Sequence, residues 1–222
     1  GLIAHELAHQ WFGDDITCGS WNDIWLNEGF ATYLASMVIE NFDGETAFII
    51  NKNSLINSIT SFPNGSVYVP EEESNNESRI FSSRLTYNKG AMVLNMLRFK
   101  LGDTNFFQGL KNYLNDPKLS YGYAKTPDLI THLEATSGMN LSEFFNDWIY
   151  QQGYPIYDIQ AASFEAGKMK ITINQSQSDA SVAFFEMPVP LRFLGLNGAQ
   201  KDVVLENTFN GQSYIVDVPF IV

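Results

Sequence analysis

The stretch His5-Glu6-Leu7-Ala8-His9 decides how this sequence folds locally and what it can bind. It has the pattern His-Glu-x-x-His. On a helix, residues i and i+4 return to one face only about 40° apart, so both imidazoles can reach one metal ion. Glu6 flanks the same face and can take a proton from a water molecule at that metal without being a ligand itself. We therefore predict His5 and His9 as metal ligands and Glu6 as the general base.

Glu28 is the predicted third ligand. Residues 10–27 separate it from His9, which is enough chain for Gly13 to end the first helix and for a second helix to return beside it. Two histidines and one carboxylate leave the fourth position of a tetrahedral Zn²⁺ open for water, as a catalytic zinc site requires. The alternative is a pair of surface histidines beside a solvated glutamate. It is disfavoured because these are two of only three histidines in the chain.

The composition is that of a globular protein. Of the 222 residues, 45% are hydrophobic and 17% are charged, which excludes a disordered or fibrous chain. The formal charge of -12 would repel a phosphate backbone or an anionic lipid surface. No apolar run approaches the roughly 20 residues of a membrane-spanning helix. We therefore expect no nucleic-acid partner and no membrane segment in these residues, and the sequence carries no signal for a cellular compartment.

The spacing of the apolar residues changes near Pro155. Before it they recur at helical spacing, and after it they form short β-branched and aromatic runs. The pattern predicts a long loop over residues 62–83 and helices over residues 2–12, 24–39, 46–59, 89–101 and 104–114. The predicted strands are residues 156–164, 168–174, 182–185, 189–193, 203–206 and 214–220, with turns at Asn197-Gly198 and Asn210-Gly211.

The fold class that follows is α + β. We predict two domains: residues 1–155 as a helical, zinc-binding part and residues 156–222 as a small antiparallel β-sandwich. The apolar, strand-like end of the sequence also leads us to expect that the parent protein continues beyond Val222.

These motifs resemble the zinc aminopeptidases of the gluzincin clan, the family of aminopeptidase N and leukotriene hydrolase. The resemblance covers about the first two-thirds of the chain, and the strand-rich remainder is only loosely similar to the small β-sandwich of many members. The matching stretches are His5-Glu6-Leu7-Ala8-His9-Gln10-Trp11, Trp25-Leu26-Asn27-Glu28-Gly29-Phe30-Ala31, Tyr87-Asn88-Lys89-Gly90-Ala91 and Trp148-Ile149 through Gly153-Tyr154-Pro155.

The resemblance implies roles that the residues alone do not. By it, Tyr87 is the phenol that hydrogen-bonds the oxyanion of the tetrahedral intermediate, whereas the sequence alone cannot select one of 10 tyrosines. Thr32, one turn after Glu28, is either a partner that orients a zinc ligand or a structural residue. His132 and Cys18 are expected to be structural.

The activity implied by the resemblance is hydrolysis of N-terminal peptide bonds, with Zn²⁺ as cofactor and a peptide with a free N-terminus as partner. The family's Gly-x-Met-Glu-Asn motif, whose glutamate holds the substrate α-amine, does not occur in these 222 residues. We expect it upstream of Gly1 in a longer parent, and therefore expect the isolated fragment to be poorly active or inactive. The alternatives are an epoxide-opening or other hydrolase on the same scaffold, or a non-catalytic relative.

Overall fold

The computed structural model describes residues 1–196 and 198–221. Asn197, half of a predicted turn, and Val222, the last residue of the predicted sandwich, lie outside the described residues. The chain divides into two compact units, Gly1–Gln152 and Gly153–Val222. The first is mainly helical and the second contains antiparallel sheets, so the predicted α + β class is confirmed.

The first unit is built from helices of very different length. Segments with π or 3-10 geometry connect several of them, at Trp21–Asp23, Glu71–Glu73, Ser83–Lys89 and Asn146–Tyr150. The α-helices are α1 (Leu2–Ala8), α2 (Trp25–Asp43), α3 (Glu45–Ile59), α4 (Glu77–Ile80), α5 (Gly90–Leu114), α6 (Thr126–Ser137) and α7 (Ser142–Phe145). Helix α5 is broken at Gly102, whose φ is +73°, as the predicted division between residues 101 and 104 requires.

Three local predictions are wrong in this unit. Helix α1 ends at Ala8 rather than at residue 12, because the chain turns there and continues into strand β1 (Ile16–Cys18). This strand was not predicted, since it has only three residues and pairs in parallel with β2 (Gly122–Ala124), more than 100 residues away. The predicted loop over residues 62–83 contains a 3-10 turn and helix α4.

The core of the first unit surrounds the start of α2. Trp25 and Phe30 are fully buried, and the Phe30 ring stacks on Phe12 with 4.0 Å between ring centroids. On the same helix, Gly29 packs against Gly90 at the start of α5. A Cβ atom at Gly29 would lie 3.2 Å from the backbone of Gly90, and one at Gly90 would lie 3.2 Å from the Cα of Gly29. Helices α2 and α5 are therefore in backbone contact at this point.

The second unit consists of two small antiparallel sheets, with strand orders β3-β4-β7 and β5-β6. One cluster of buried residues contains side chains of both sheets, Ile171 and Ile173 from the first and Val189, Phe193 and Leu205 from the second. This is a sandwich core. The strands are β3 (Pro155–Glu165), β4 (Lys168–Gln177), β5 (Met187–Leu194), β6 (Gln200–Asn207) and β7 (Gln212–Asp217).

The predicted strand over residues 182–185 is not formed. Its end residue Phe185 is buried, but its backbone is bonded by a side chain instead of by a neighbouring strand. The Phe185 N–H donates to Oε1 of Gln175 at 2.8 Å, and the Phe185 carbonyl accepts from Nε2 of the same amide at 3.0 Å. One glutamine thus replaces a strand partner, which an apolar pattern cannot reveal.

A Gly29→Ala substitution tests the contact between α2 and α5. In a helix this change normally stabilises a protein by about 0.5–1 kcal/mol. Here the added methyl group meets backbone atoms that cannot move without shifting α5, so we expect destabilisation by about 1–3 kcal/mol. Thermal and denaturant unfolding measure the change. The control, Asn53→Ala on the exposed side of α3, should leave stability nearly unchanged, and a more stable Gly29→Ala protein would contradict the packing.

Candidate metal centre

His5, His9 and Glu28 are brought together by helices α1 and α2. The Nε2 atoms of His5 and His9 lie 3.2 and 3.4 Å from the same oxygen of Glu28, Oε2. Among the described residues, these three form the one group of histidine, cysteine or acidic side chains whose ligand atoms all lie within 4.8 Å of one another. Sequence spacing predicted the same three residues as a ligand set.

The donor set fits Zn²⁺. Tetrahedral zinc with bonds of about 2.0–2.2 Å to nitrogen and oxygen requires ligand atoms about 3.3–3.5 Å apart. The two distances to Glu28, 3.2 and 3.4 Å, are within about 0.1 Å of that spacing. The side chains are also partly exposed, with 16%, 21% and 13% of the His5, His9 and Glu28 side chains accessible. Solvent can therefore reach the side chains that would bind the metal.

The Nδ1 atoms of the two imidazoles have partners other than Glu28. Nδ1 of His9 lies 3.0 Å from the carbonyl oxygen of Phe12. A carbonyl can only accept, so Nδ1 carries a hydrogen, and Nε2 is the nitrogen that can bind a metal once it has lost its own proton. Nδ1 of His5 lies 3.5 Å from Oγ1 of Thr32, the residue that the sequence indicated as a possible orienting partner.

Glu28 is positioned by a network at the start of α2. The side chain of the preceding Asn27 accepts a hydrogen bond from the backbone N–H of Cys18 at 3.1 Å. Buried Asp23 accepts from both the backbone N–H and the hydroxyl of Thr126, at 2.9 and 2.7 Å. The first turn of α2 is thereby fixed to strand β1 and to the start of α6. Cys18 itself is not in the metal group, and burial raises the pKa of its thiol to about 11.

The ligand side chains perturb one another strongly. The hydrogen bond to Glu28 raises the pKa of His9 to about 9, against the effect of burial, and the charges of Glu28 and Glu6 act in the same direction. Burial disfavours the ionised form of Glu28, but its hydrogen bond to His9 and the charges of both histidines outweigh that effect and lower its pKa. A metal ion at this site must therefore compete with a proton on His9.

Glu6 and Tyr87 lie in the same cavity as the three ligands, with a volume of about 520 Å³. The Tyr87 ring stacks on His5 at a centroid distance of 5.8 Å and an interplanar angle of 15°. Burial, and then the charge of Glu28, raises the pKa of Tyr87 to about 12. Its hydroxyl group consequently keeps its proton at neutral pH and is a hydrogen-bond donor. All five residues singled out in the sequence thus border one cavity.

The residues that form the outer wall of this cavity were not predicted from the sequence. On α2 the lining continues through Ala35, Ser36 and Ile39, and α3 contributes Asn51 and Leu55. A signal for the α2 residues exists, because they follow Glu28 and Thr32 at helical spacing. Nothing in the sequence marked the α3 residues, since their place depends on how α3 packs against α2.

A histidine pair on one helix and a carboxylate on the next, in a helical fold with a further glutamate and a phenol in the same cavity, are characteristic of zinc-dependent metallopeptidases. Within that class the chain belongs to peptidase family M1. A family model described as "Peptidase family M1 domain" matches residues 1–148.

Two curated relatives illustrate the similarity. Tricorn protease-interacting factor F2 of Thermoplasma acidophilum is 32% identical over 217 residues, which are 93% of this chain and 26% of the relative. "Aminopeptidase 2, mitochondrial" of Saccharomyces cerevisiae is 35% identical over 218 residues, 92% of this chain and 22% of the relative. The chain thus spans about a quarter of the length of these relatives.

Two solved structures are similar to this chain. Aminopeptidase A of Legionella pneumophila superposes with a TM-score of 0.76 over 98% of this chain and 24% of its own. At 19% identity this likeness concerns the fold alone. An M1 zinc metallopeptidase from Deinococcus radiodurans gives a TM-score of 0.57 at 30% identity, covering 67% of this chain and 32% of its own.

Among the described residues, no helix is both long and apolar enough to cross a membrane.

The proton on His9 leads to a prediction about pH. Because the pKa of His9 is raised to about 9, His9 is protonated near neutral pH, and binding of Zn²⁺ should release about one proton from it. As the pH rises through about 9, the release from His9 should decline, since His9 is then increasingly neutral before the metal binds. Calorimetry in buffers of different ionisation enthalpy measures the proton count. Zinc binding without proton release near neutral pH would contradict the proposed His9–Glu28 coupling.

Proposed function

We propose that this chain carries the zinc centre of an aminopeptidase that hydrolyses the N-terminal bond of peptides. The observation that supports it best is the convergence of His5, His9 and Glu28 at tetrahedral spacing, in a cavity that Glu6 and Tyr87 also line. Membership of family M1 and the names of relatives, which are aminopeptidases or probable aminopeptidases, support the reaction class.

In this proposal each residue has one task. His5, His9 and Glu28 would hold Zn²⁺, which when bound polarises the scissile carbonyl and makes a water molecule more acidic. Glu6 accepts the proton of the attacking water and can deliver it to the leaving amine. The neutral Tyr87 hydroxyl donates a hydrogen bond to the carbonyl oxygen as negative charge develops on it.

The position of each group rests on its own contacts. The bond from His9 to the Phe12 carbonyl holds one ring orientation, and Thr32 lies beside Nδ1 of His5. Glu6 is next to His5 in the chain yet is not within the ligand group, as a base that must reach water requires. The stacking of Tyr87 on His5 supports the role proposed for the phenol, because it holds the ring next to a proposed metal ligand.

The substrate proposed is a peptide with a free N-terminus. Two domains, residues 1–155 and 156–222, remain part of this proposal, with all the chemistry in the first. The alternatives have less support. Relatives such as Aminopeptidase 2 of Saccharomyces cerevisiae are named as aminopeptidases, which does not favour an epoxide-opening hydrolase. The joint presence of base, phenol and ligand set argues against a non-catalytic relative.

We predict that the chain binds one Zn²⁺ through His5, His9 and Glu28. Single substitution of any of them by alanine should weaken binding by at least about 10- to 100-fold, since even the partners of zinc ligands have effects of that size. Elemental analysis after dialysis and competition with a fluorescent chelator measure this. His132→Ala is the matched control, because His132 pairs with Asp116 outside the metal group. Equal zinc binding by His5→Ala and by the control would refute the ligand assignment.

Glu6→Gln separates the base from the ligands. The variant should bind zinc normally, while turnover of an aminoacyl anilide should fall about 10²- to 10⁴-fold, the usual contribution of a general base. The assay is best made in the longest chain that contains these residues, with Glu45→Gln at an exposed position of α3 as control. A zinc-loaded Glu6→Gln enzyme with near-normal kcat would show that another group takes the proton.

A further inference from the structure

The cavity extends well beyond the residues used for chemistry. Along α2 its wall runs from Glu28 through Thr32 and Ala35 to Ile39. These positions follow one face of the helix over about 16 Å, at 1.5 Å per residue. The end near Ile39 is therefore about three turns away from the ligand Glu28, and it has room for a group attached to the substrate.

Asn51 lines this cavity from the opposite helix, α3. Helices α2 and α3 are joined at Gly44, whose φ is +85°, and α3 returns towards the Tyr87 segment, where Ser58 accepts a hydrogen bond from Asn88 at 2.9 Å. Asn51 precedes Ser58 by seven residues, or about 10 Å of helix. It therefore faces the part of the cavity remote from the phenol.

The Oδ1 atom of Asn51 is shielded from solvent and has no hydrogen-bond partner in the described part of the chain. An unpaired buried carbonyl oxygen destabilises a fold, whereas leucine, which is larger but branches at the same atom, has no polar atom to leave unpaired. Departures of this kind from good packing occur mostly at functional sites. Because no partner fixes Oδ1, rotation of the amide can present either a donor or an acceptor to the cavity.

The surroundings of Asn51 define the chemistry of a ligand group. Ala35, Ile39 and Leu55 make the walls apolar, and Ser36 adds a hydroxyl oxygen that already donates to the Thr32 carbonyl at 3.1 Å. Neither lysine nor arginine lines the cavity, so an anionic group would be unpaired there. The group that fits is an uncharged side chain with a terminal amide or hydroxyl.

We propose that this end of the cavity is a side-chain subsite, and that Asn51 determines its specificity by pairing with an uncharged, hydrogen-bonding substrate side chain. The proposal rests on the function proposed above, because it takes the cavity to hold the substrate. Asn51 touches the substrate remote from the reacting bond, so it selects among substrates and has no part in proton transfer.

Two series of hydroxamates test the subsite in the zinc-loaded chain. Both carry a metal-binding hydroxamate and an alkyl chain of increasing length. One series ends in a carboxamide and the other in an isopropyl group of nearly the same shape. At the best-fitting length, Asn51→Leu should shift the ratio of the two dissociation constants about three- to tenfold towards the isopropyl compound, the effect of one neutral hydrogen bond.

Asn53→Leu is the matched control, since Asn53 is an exposed asparagine on the same helix and does not line the cavity. It should leave the ratio unchanged. An unchanged ratio in Asn51→Leu would overturn the proposal, and so would zinc-loaded protein that binds neither series. A structural role for Asn51 predicts a different result, a lower unfolding temperature of Asn51→Leu, whereas we expect an equal or higher one.

A second measurement needs no metal. In the NMR spectrum of the metal-free chain, the side-chain amide signals that vanish in Asn51→Leu belong to Asn51. Titration with acetamide should shift these signals saturably and leave those of Asn53 in place. Equal shifts at both residues would overturn the subsite. If zinc fails to bind, the proposed function fails, and the acetamide titration still decides whether Asn51 faces a ligand site.

Discussion

The close approach of Gly29 and Gly90 controls the geometry of the site. Glu28 directly precedes Gly29, and Tyr87 lies three residues before Gly90, so the ligand and the phenol flank a single backbone contact. Any side chain at either glycine would meet backbone at 3.2 Å and push α2 away from α5. The distance between a proposed metal ligand and the proposed oxyanion donor thus depends on the absence of a side chain at both glycines. Both glycines belong to the motifs that carry the family resemblance.

The segment that carries Tyr87 is held from the other side by cations that bind backbone oxygens. Lys89 donates from Nζ to the Gly65 carbonyl at 3.0 Å, and Arg79 donates to the carbonyls of Ser66 and Tyr68 at 2.8 and 3.0 Å. The loop that contains Gly65, Ser66 and Tyr68 is rich in proline, glycine and asparagine and lacks regular backbone pairing. These long side chains therefore supply hydrogen bonds to it. Lys89 thereby fixes the loop against the π-helical segment Ser83–Lys89 that carries the phenol, and Arg79 fixes the same loop to helix α4.

The sequence predicted best those site residues whose positions depend on nearby parts of the chain. His5, Glu6 and His9 lie within one helical turn or so of one another, and their spacing alone indicated their meeting. To predict the position of Glu28 it was enough to predict two adjacent helices. Tyr87 is placed by the packing of α5 on α2, which no local pattern describes, and it was found through the family resemblance. Asn51 had neither signal, because neither a motif nor helical periodicity singles out one asparagine on α3.

Prediction of the fold depended in the same way on how far apart in the chain the interacting residues lie. Long helices and alternating strands were predicted because their apolar spacing repeats over many residues, whereas strand β1 has three residues and a partner beyond residue 120. At Phe185 the backbone partner is the Gln175 side chain, so the apolar run there forms no strand. The proposed metal ligands are therefore the most locally encoded part of the site, and the phenol and the cavity wall depend on tertiary packing. A substitution that loosens the contact between α2 and α5 acts first on Tyr87, because α1 and the first turn of α2 are held to each other, to β1 and to α6 by contacts that do not involve α5.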